Sequence, residues 1–187
     1  MVKHIKKPGI QGLSGSTGKL TFYQHRHRVV AYVAPAPGQS TGTTGQLAER
    51  TQFQDAHKYA KAMQHKPEVW ARYEAEAVLR HSSPVELAIA DYMKGPVILD
   101  VDVGRYQGHP GDHIRIQATD GFRVAAIQVA ITNGDGEAVE SGPAVYKRST
   151  SDWQYKAIIA NPALKGSRIR VEARDLPGNC TSQERQV

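Results

Sequence analysis

Chemically capable residues stand at useful spacings in only a few stretches of this chain. Gly12–Leu20 reads GLSGSTGKL, and a glycine-rich backbone followed by lysine is a way of cradling phosphates. The spacing fails the test. Leu13 stands five residues before Gly18 where a glycine is needed, Leu20 follows Lys19 in place of Ser or Thr, and strand-forming residues follow where a helix should present its amides. The stretch is expected to be a flexible glycine arm leading into a hairpin.

Eight histidines raise the question of metal. His25 and His27 form one pair and His109 and His113 another, but neither pair has an obvious third or fourth ligand nearby in sequence. Asp100, Asp102, Asp112, Asp120, Asp135 and Asp175 lie near strand ends, where they could converge on calcium, which needs six to eight oxygens. Turn formation accounts equally well for Asp120-Gly121 and Asp135-Gly136, so no metal is expected. The single cysteine, Cys180, excludes an internal disulfide and a four-cysteine zinc site, and it stands in a polar segment where a pocket is hard to build. The serines fall mostly in turns, and no G-x-S-x-G element occurs. The expectation is therefore no catalytic set, no cofactor and no enzyme.

Binding chemistry is better represented. Up to Ala48 the chain has six basic residues (Lys3, Lys6, Lys7, Lys19, Arg26, Arg28) and no acidic one, while acids and bases balance over the rest. The whole net charge of +6 thus sits in the N-terminal arm. Aromatics are interleaved with it (Phe22, Tyr23, Tyr32), so Lys6, Lys7, Lys19, Arg26 and Arg28 could contact the phosphates of a nucleic acid or another polyanion. Farther along, Tyr106, Tyr146 and Trp153 would serve as a stacking platform for carbohydrate if exposed. The period-two placement of Trp153 with Tyr155 favours the core instead.

These residues must be held by elements that the pattern foretells. Lys19 to Gln24 and Arg28 to Ala34 are β-prone and predict a hairpin, with Met1–Thr17 extended and mobile ahead of it. Pro35–Gly45 has the composition of a linker. Thr43 and Gln46 match a capping box at the head of a helix, with Phe53, Ala56, Ala60 and Met63 along one stripe. A second helix starts near Pro67 with Trp70, Tyr73 and Ala77 on one side. A third starts from Ser83-Pro84 with Val85, Ala88, Ile89 and Tyr92 inward, and Lys94-Gly95-Pro96 stops it. Between Gly111 and Asn179, Ile114-Ile116-Ala118, Ile127-Val129-Ile131 and Ile169-Val171-Ala173 alternate with polar residues between turn signals, as in an antiparallel sandwich.

The order GDHIRIQATD, RVAAIQVAI, DWQYKAII and LKGSRIRVEARDLPGN resembles a bacterial immunoglobulin-like domain, whose last strand often closes on an A-x-D-x-x-G-N turn. The resemblance covers Pro96–Asn179 and implies the fold and a surface-presenting or assembly role. Gly12–Lys61 is similar to the start of small uncharacterised bacterial and phage-associated proteins, which pair a G-x-x-G-x-x-G-K hairpin with a T-x-x-Q-x-x-x-R-x-x-F helix; here Thr43, Gln46, Arg50 and Phe53 stand in that helix. That likeness too points to assembly.

The expected architecture is α+β: arm, hairpin and linker over 1–45, a helical unit over 46–94, an immunoglobulin-like sandwich over 95–180 and a tail over 181–187. The expected function is a non-enzymatic structural subunit that self-assembles into a filament or virion-like particle. Leu20, Phe22, Val29, Val30 and Tyr32 would be the anchors of its hairpin arm, since a lone hairpin is marginal in water and must dock. The alternatives are a polyanion-binding or nucleic-acid-binding module and a carbohydrate-binding or adhesive domain. No apolar run reaches the roughly 20 residues of a membrane helix. No Sec-type signal is seen, so the expected place is the cytoplasm, or an extracellular or virion-like assembly reached by another route.

Overall fold

Period-two alternation and turn chemistry are converted into antiparallel strands throughout the computed structural model, which describes residues 2–7, 10–17, 20–25, 28–33 and 42–187. The described residues form twelve strands and three helices in mixed α+β order. The chain divides into two units, Met1–Thr44 and Gly45–Val187.

The first unit is a four-stranded meander of β1 (Val2–Lys7), β2 (Ile10–Thr17), β3 (Leu20–His25) and β4 (Arg28–Val33), hydrogen-bonded in that order. The expected hairpin is β3–β4, in register from Leu20↔Val33 to His25↔Arg28. The extended arm expected over Met1–Thr17 is corrected: its described residues are two paired strands, Val2↔Gly15 through Lys7↔Ile10. Pairing satisfies backbone groups that an extended arm would leave to water, and four strands are more stable than two. Most of the expected linker lies outside the described residues.

In the second unit, α1 (Thr44–Gln64), α2 (Pro67–Arg80) and α3 (Pro84–Met93) precede the sandwich. Helix α1 buries Ala56, Ala60 and Met63, but Phe53, expected on the same stripe, is 49% exposed and meets the His57 ring edge-on. Helix α2 has proline in its first turn and ends on His81, whose positive φ of 51° gives the left-handed terminal residue typical of helix ends. Helix α3 opens with a complete capping box: the Glu86 amide donates to Ser83 Oγ (3.1 Å), and the Ser83 amide donates to Glu86 Oε2 (3.1 Å). Its buried residues are Leu87, Ala88 and Asp91, so the helix is rotated from the stripe predicted by Val85, Ile89 and Tyr92, which are half-buried.

The sandwich comprises β5 (Val97–Asp102), β6 (His113–Thr119), β7 (Val124–Thr132), β8 (Ala138–Pro143), β9 (Val145–Lys147), β10 (Asp152–Lys156), β11 (Arg168–Asp175) and β12 (Cys180–Gln186). One antiparallel sheet runs β5-β6-β10-β9 and the other β12-β11-β7-β8. Ile114 and Ile116 of the first sheet and Ile127, Val129, Ile131, Ile169 and Val171 of the second fill the core between them. The segment 181–187, expected as a tail, is corrected to an edge strand, β12, paired with β11 from Arg168↔Gln186 to Arg174↔Cys180. An edge strand can be held by its backbone ladder alone, and CTSQERQ has no apolar alternation to announce it. The helical segment and the sandwich are not independent. The helix core of Ala60, Met63, Tyr73, Ala77, Leu87 and Ala88 is closed by Phe122 and Leu176 from sandwich turns.

Candidate functional site

The docking of helices on the sandwich brings together three carboxylates that are remote in sequence. Asp91 comes from α3, Asp120 from the turn between β6 and β7, and Asp175 from the end of β11, with one oxygen of each within 4.8 Å of the others. Asp91 is 1% exposed. Its Oδ2 accepts the Tyr73 hydroxyl at 2.5 Å, and the Tyr59 and Tyr73 hydroxyls lie 3.0 Å apart. The oxygens of Asp120 accept the amides of Gly121 and Arg123, at 2.7 and 3.1 Å. Asp175 accepts the Gly178 amide at 2.8 Å and the Asn179 side-chain amide at 2.7 Å. Asn179 Nδ2 also reaches the Tyr92 carbonyl at 3.2 Å, which ties the A-x-D-x-x-G-N turn to the end of α3.

Electrostatics decides what this arrangement can do. Burial pushes the Asp91 carboxyl up to about 7 against the pull of the Tyr73 hydrogen bond, and the neighbouring Asp120 and Asp175 carboxylates push it the same way. Asp175 is raised as well, first by burial, with the Asn179 and Gly178 hydrogen bonds opposing. The oxygens of Asp120 and Asp175 are bonded to their own turns, while Asp91 Oδ1 is buried without a partner. A cation such as calcium needs more free oxygens than this. A proton on Asp91 relieves the repulsion among the three carboxylates at the joint between helices and sandwich.

The other acids considered for calcium stay in their own surroundings. Asp112 Oδ2 accepts the Gln107 and His109 amides, Asp102 accepts the Gly104 amide, Asp100 faces Arg185 at 3.7 Å, and Asp135 lies in the β7–β8 turn. Among the described residues the three-aspartate cluster is the one group of this kind, so His109 and His113 gain no third ligand. His25 lies in β3, His27 lies outside the described residues, and Cys180 is exposed at the start of β12.

The assembly residues fall on both faces of the β3–β4 pair. Opposite residues share a face, which places Leu20, Phe22, Val29 and Val33 on one side and Val30 and Tyr32 on the other, where Tyr32 meets Tyr23 edge-on at 6.0 Å. Leu20 is 44%, Tyr32 45% and Val33 61% exposed, Val29 is exposed too, and Phe22 and Val30 are half-buried. Of the basic residues read as polyanion contacts, Lys6 and Lys7 lie in β1 and Arg28 begins β4, while Lys19 and Arg26 lie outside the described residues.

The proposed stacking platform is only partly assembled. Tyr106 is buried in the sandwich, with its hydroxyl accepting from Asn161 Nδ2 at 3.2 Å. Trp153 is half-buried against the core, and its ring lies 5.5 Å from that of exposed Tyr146 on the neighbouring strand.

No family model, curated protein or solved structure matches the chain. The geometry of the molecule thus has to carry its functional reading. No helix among the described residues is long and apolar enough to cross a membrane.

Sequence spacing singles out Asp120 and Asp175 among the acids near strand ends but not Asp91, which looks like a helix-surface acid within its own segment, and it does not show that these three meet. The local signal for one of them was the A-x-D-x-x-G-N turn, which predicts a bonded Asp175–Asn179 pair but not the helix carbonyls that Asn179 also holds.

Proposed function

We propose that this chain is a non-enzymatic structural subunit that associates with copies of itself through the β1–β4 sheet, and that its larger unit is an immunoglobulin-like body. The exposure of apolar side chains on both faces of β3–β4 carries the reading. None of the β3 and β4 side chains described is buried, and Leu20, Val29 and Val33 on one face are matched by Tyr23 and Tyr32 on the other. A sheet needs an apolar face covered to be stable, and contiguous exposed apolar surface of this kind marks interaction sites. Two unlike apolar faces on one sheet favour a copy of the same chain as the occupant. The face of one copy can cover the opposite face of the next, and such head-to-tail contacts build rings or open filaments. The edge of β4 adds a second means of growth, since among the described residues no further strand pairs with it. The two-sheet antiparallel sandwich and the A-x-D-x-x-G-N turn at Ala173–Asn179 support the immunoglobulin-like reading of the body.

The test is the light-scattering molar mass of the full chain over a range of concentration, beside the double variant Val29→Lys and Val33→Lys. Species larger than the 20.5 kDa monomer that dissociate in the variant support the reading. A full chain that stays monomeric at high concentration overturns it. A chain that assembles only when nucleic acid is added transfers the role of the sheet to a polyanion partner.

A further inference from the structure

A cleft of about 490 Å³ opens where α2 meets the end of the sandwich, and it belongs to the larger unit alone. Arg72 of α2, Arg123 of the β6–β7 turn and Arg148 just after β9 line it, together with Tyr146, Trp153 and Asp120. Trp153 pairs across the sheet with buried Ile116 on one side and Tyr146 on the other, so both rings rise from the inner face of β6-β10-β9. They come out at the end of the sandwich where packing stops. The Trp153 ring is half-buried and the Tyr146 ring 46% exposed, inclined to each other at 60°.

The charge of this cleft is not spent inside the protein. Arg80, Arg115, Arg174 and Arg185 each meet a carboxylate, whereas Arg72, Arg123 and Arg148 have no ion pair among the described residues. Asp120 is the one carboxylate of the lining, and its oxygens already accept the Gly121 and Arg123 amides. The lining is therefore rich in donors and cationic, beside two aromatic surfaces. A neutral sugar would ask for acceptors around its hydroxyls; this cleft asks for an anion that also carries a flat ring. Rings at a steep angle let a base lie flat on one and meet the other edge-on, while guanidinium forks take phosphate oxygens.

We propose that this cleft binds a nucleoside phosphate unit, with the base against Trp153 and Tyr146 and the phosphate among Arg72, Arg123 and Arg148. The unit comes either from a free mononucleotide or from a single strand of nucleic acid, and the two are separable. Every residue of its lining belongs to the larger unit, and the proposal does not rest on the self-association of the β1–β4 sheet.

The experiment titrates the full chain with thymidine monophosphate and with an oligothymidylate of about ten nucleotides, at about 0.15 M salt, by tryptophan fluorescence and calorimetry. Heparin serves as a polyanion without bases. Arg72→Glu, Arg148→Glu and Tyr146→Ala are exposed substitutions that leave the core intact. Each is expected to weaken nucleotide binding about tenfold, the scale of one stacked base or one phosphate contact. Binding of the monophosphate assigns the free nucleotide; binding of the oligonucleotide alone assigns the strand. Oligonucleotide binding that the three variants leave unchanged, heparin binding of equal strength, or no binding of either thymidylate overturns the proposal. The first two of these results would place the affinity in the basic N-terminal segment.

Discussion

The Tyr73 hydroxyl donates to Asp91 Oδ2 across 2.5 Å, so that α2 and α3 are joined by a hydrogen bond to a carboxyl group buried among two other carboxylates. The Tyr73 ring lies on Phe122 of the sandwich, with centroids 4.5 Å apart. One side chain thus links both helices to the body of the protein, and the protonation of Asp91 sets the strength of that link.

Stability should fall as pH rises. Asp91 titrates at about 7 when folded and near the ordinary aspartate value when unfolded, so between about pH 4 and 7 the folded state holds more protons. Its favourable contribution is complete below the unfolded value and is lost as pH rises through the folded one. The effect is on the order of a few kcal/mol. Asp175, also raised, acts in the same direction. Urea unfolding at pH 5 and pH 8 should show the loss in the native chain and much less of it in Asp91→Asn, which keeps an acceptor for Tyr73. Equal slopes in the two proteins would remove Asp91 as the cause.

Tyr73→Phe keeps the ring contact with Phe122 but leaves Asp91 Oδ2 without its donor. A buried acceptor stripped of its partner costs about 1–3 kcal/mol, to be read as a lower urea midpoint with unchanged slope. The variant should also raise the Asp91 titration further, because the hydrogen bond it loses is the one that favours the charged form.

Gly134→Ala should destabilise the chain, while Gly121→Ala should not. A Cβ on Gly134 would fall 2.1 Å from the Lys165 carbonyl oxygen, in a backbone contact where the Gly134 amide also bonds the Ala163 carbonyl. On Gly121 a Cβ meets nothing within 4 Å. Overpacking of this kind costs about 1–3 kcal/mol, so thermal midpoints of the two variants should separate clearly.

Glu140→Gln tests what holds the exposed Ile158-Ile159 segment. The buried Glu140 carboxylate accepts the Ile158 amide at 3.0 Å and the Ile159 amide at 3.3 Å. The neutral amide accepts more weakly, so hydrogen exchange at these two amides should quicken while the Ile127 to Ile131 strand remains protected.

Much of the fold follows from local pattern. The Ile114-Ile116, Ile127-Val129-Ile131 and Ile169-Val171-Ala173 alternations each mark a face that has to be buried, and all of these residues but Ala118 at the end of the first run are buried. Ser83 and Pro84 marked the start of α3 because a capping side chain and a first-turn proline both act within one turn. The β12 strand left no such mark: its ladder uses backbone groups that every residue possesses.

What the chain's order of residues determined is what short-range chemistry can specify, namely strand faces, helix starts and turns. The tertiary structure alone decided which way α3 is rotated, and hence that Asp91 points into the core instead of Tyr92. It also decided that Asp91, Asp120 and Asp175 share one buried space, and that Arg72 stands across a cleft from Trp153. Periodicity reports the environment within one element. The meeting of helix, turn and strand end depends on how Phe122 and Leu176 seat the helices on the sandwich, a packing solution found only when all the elements are folded together.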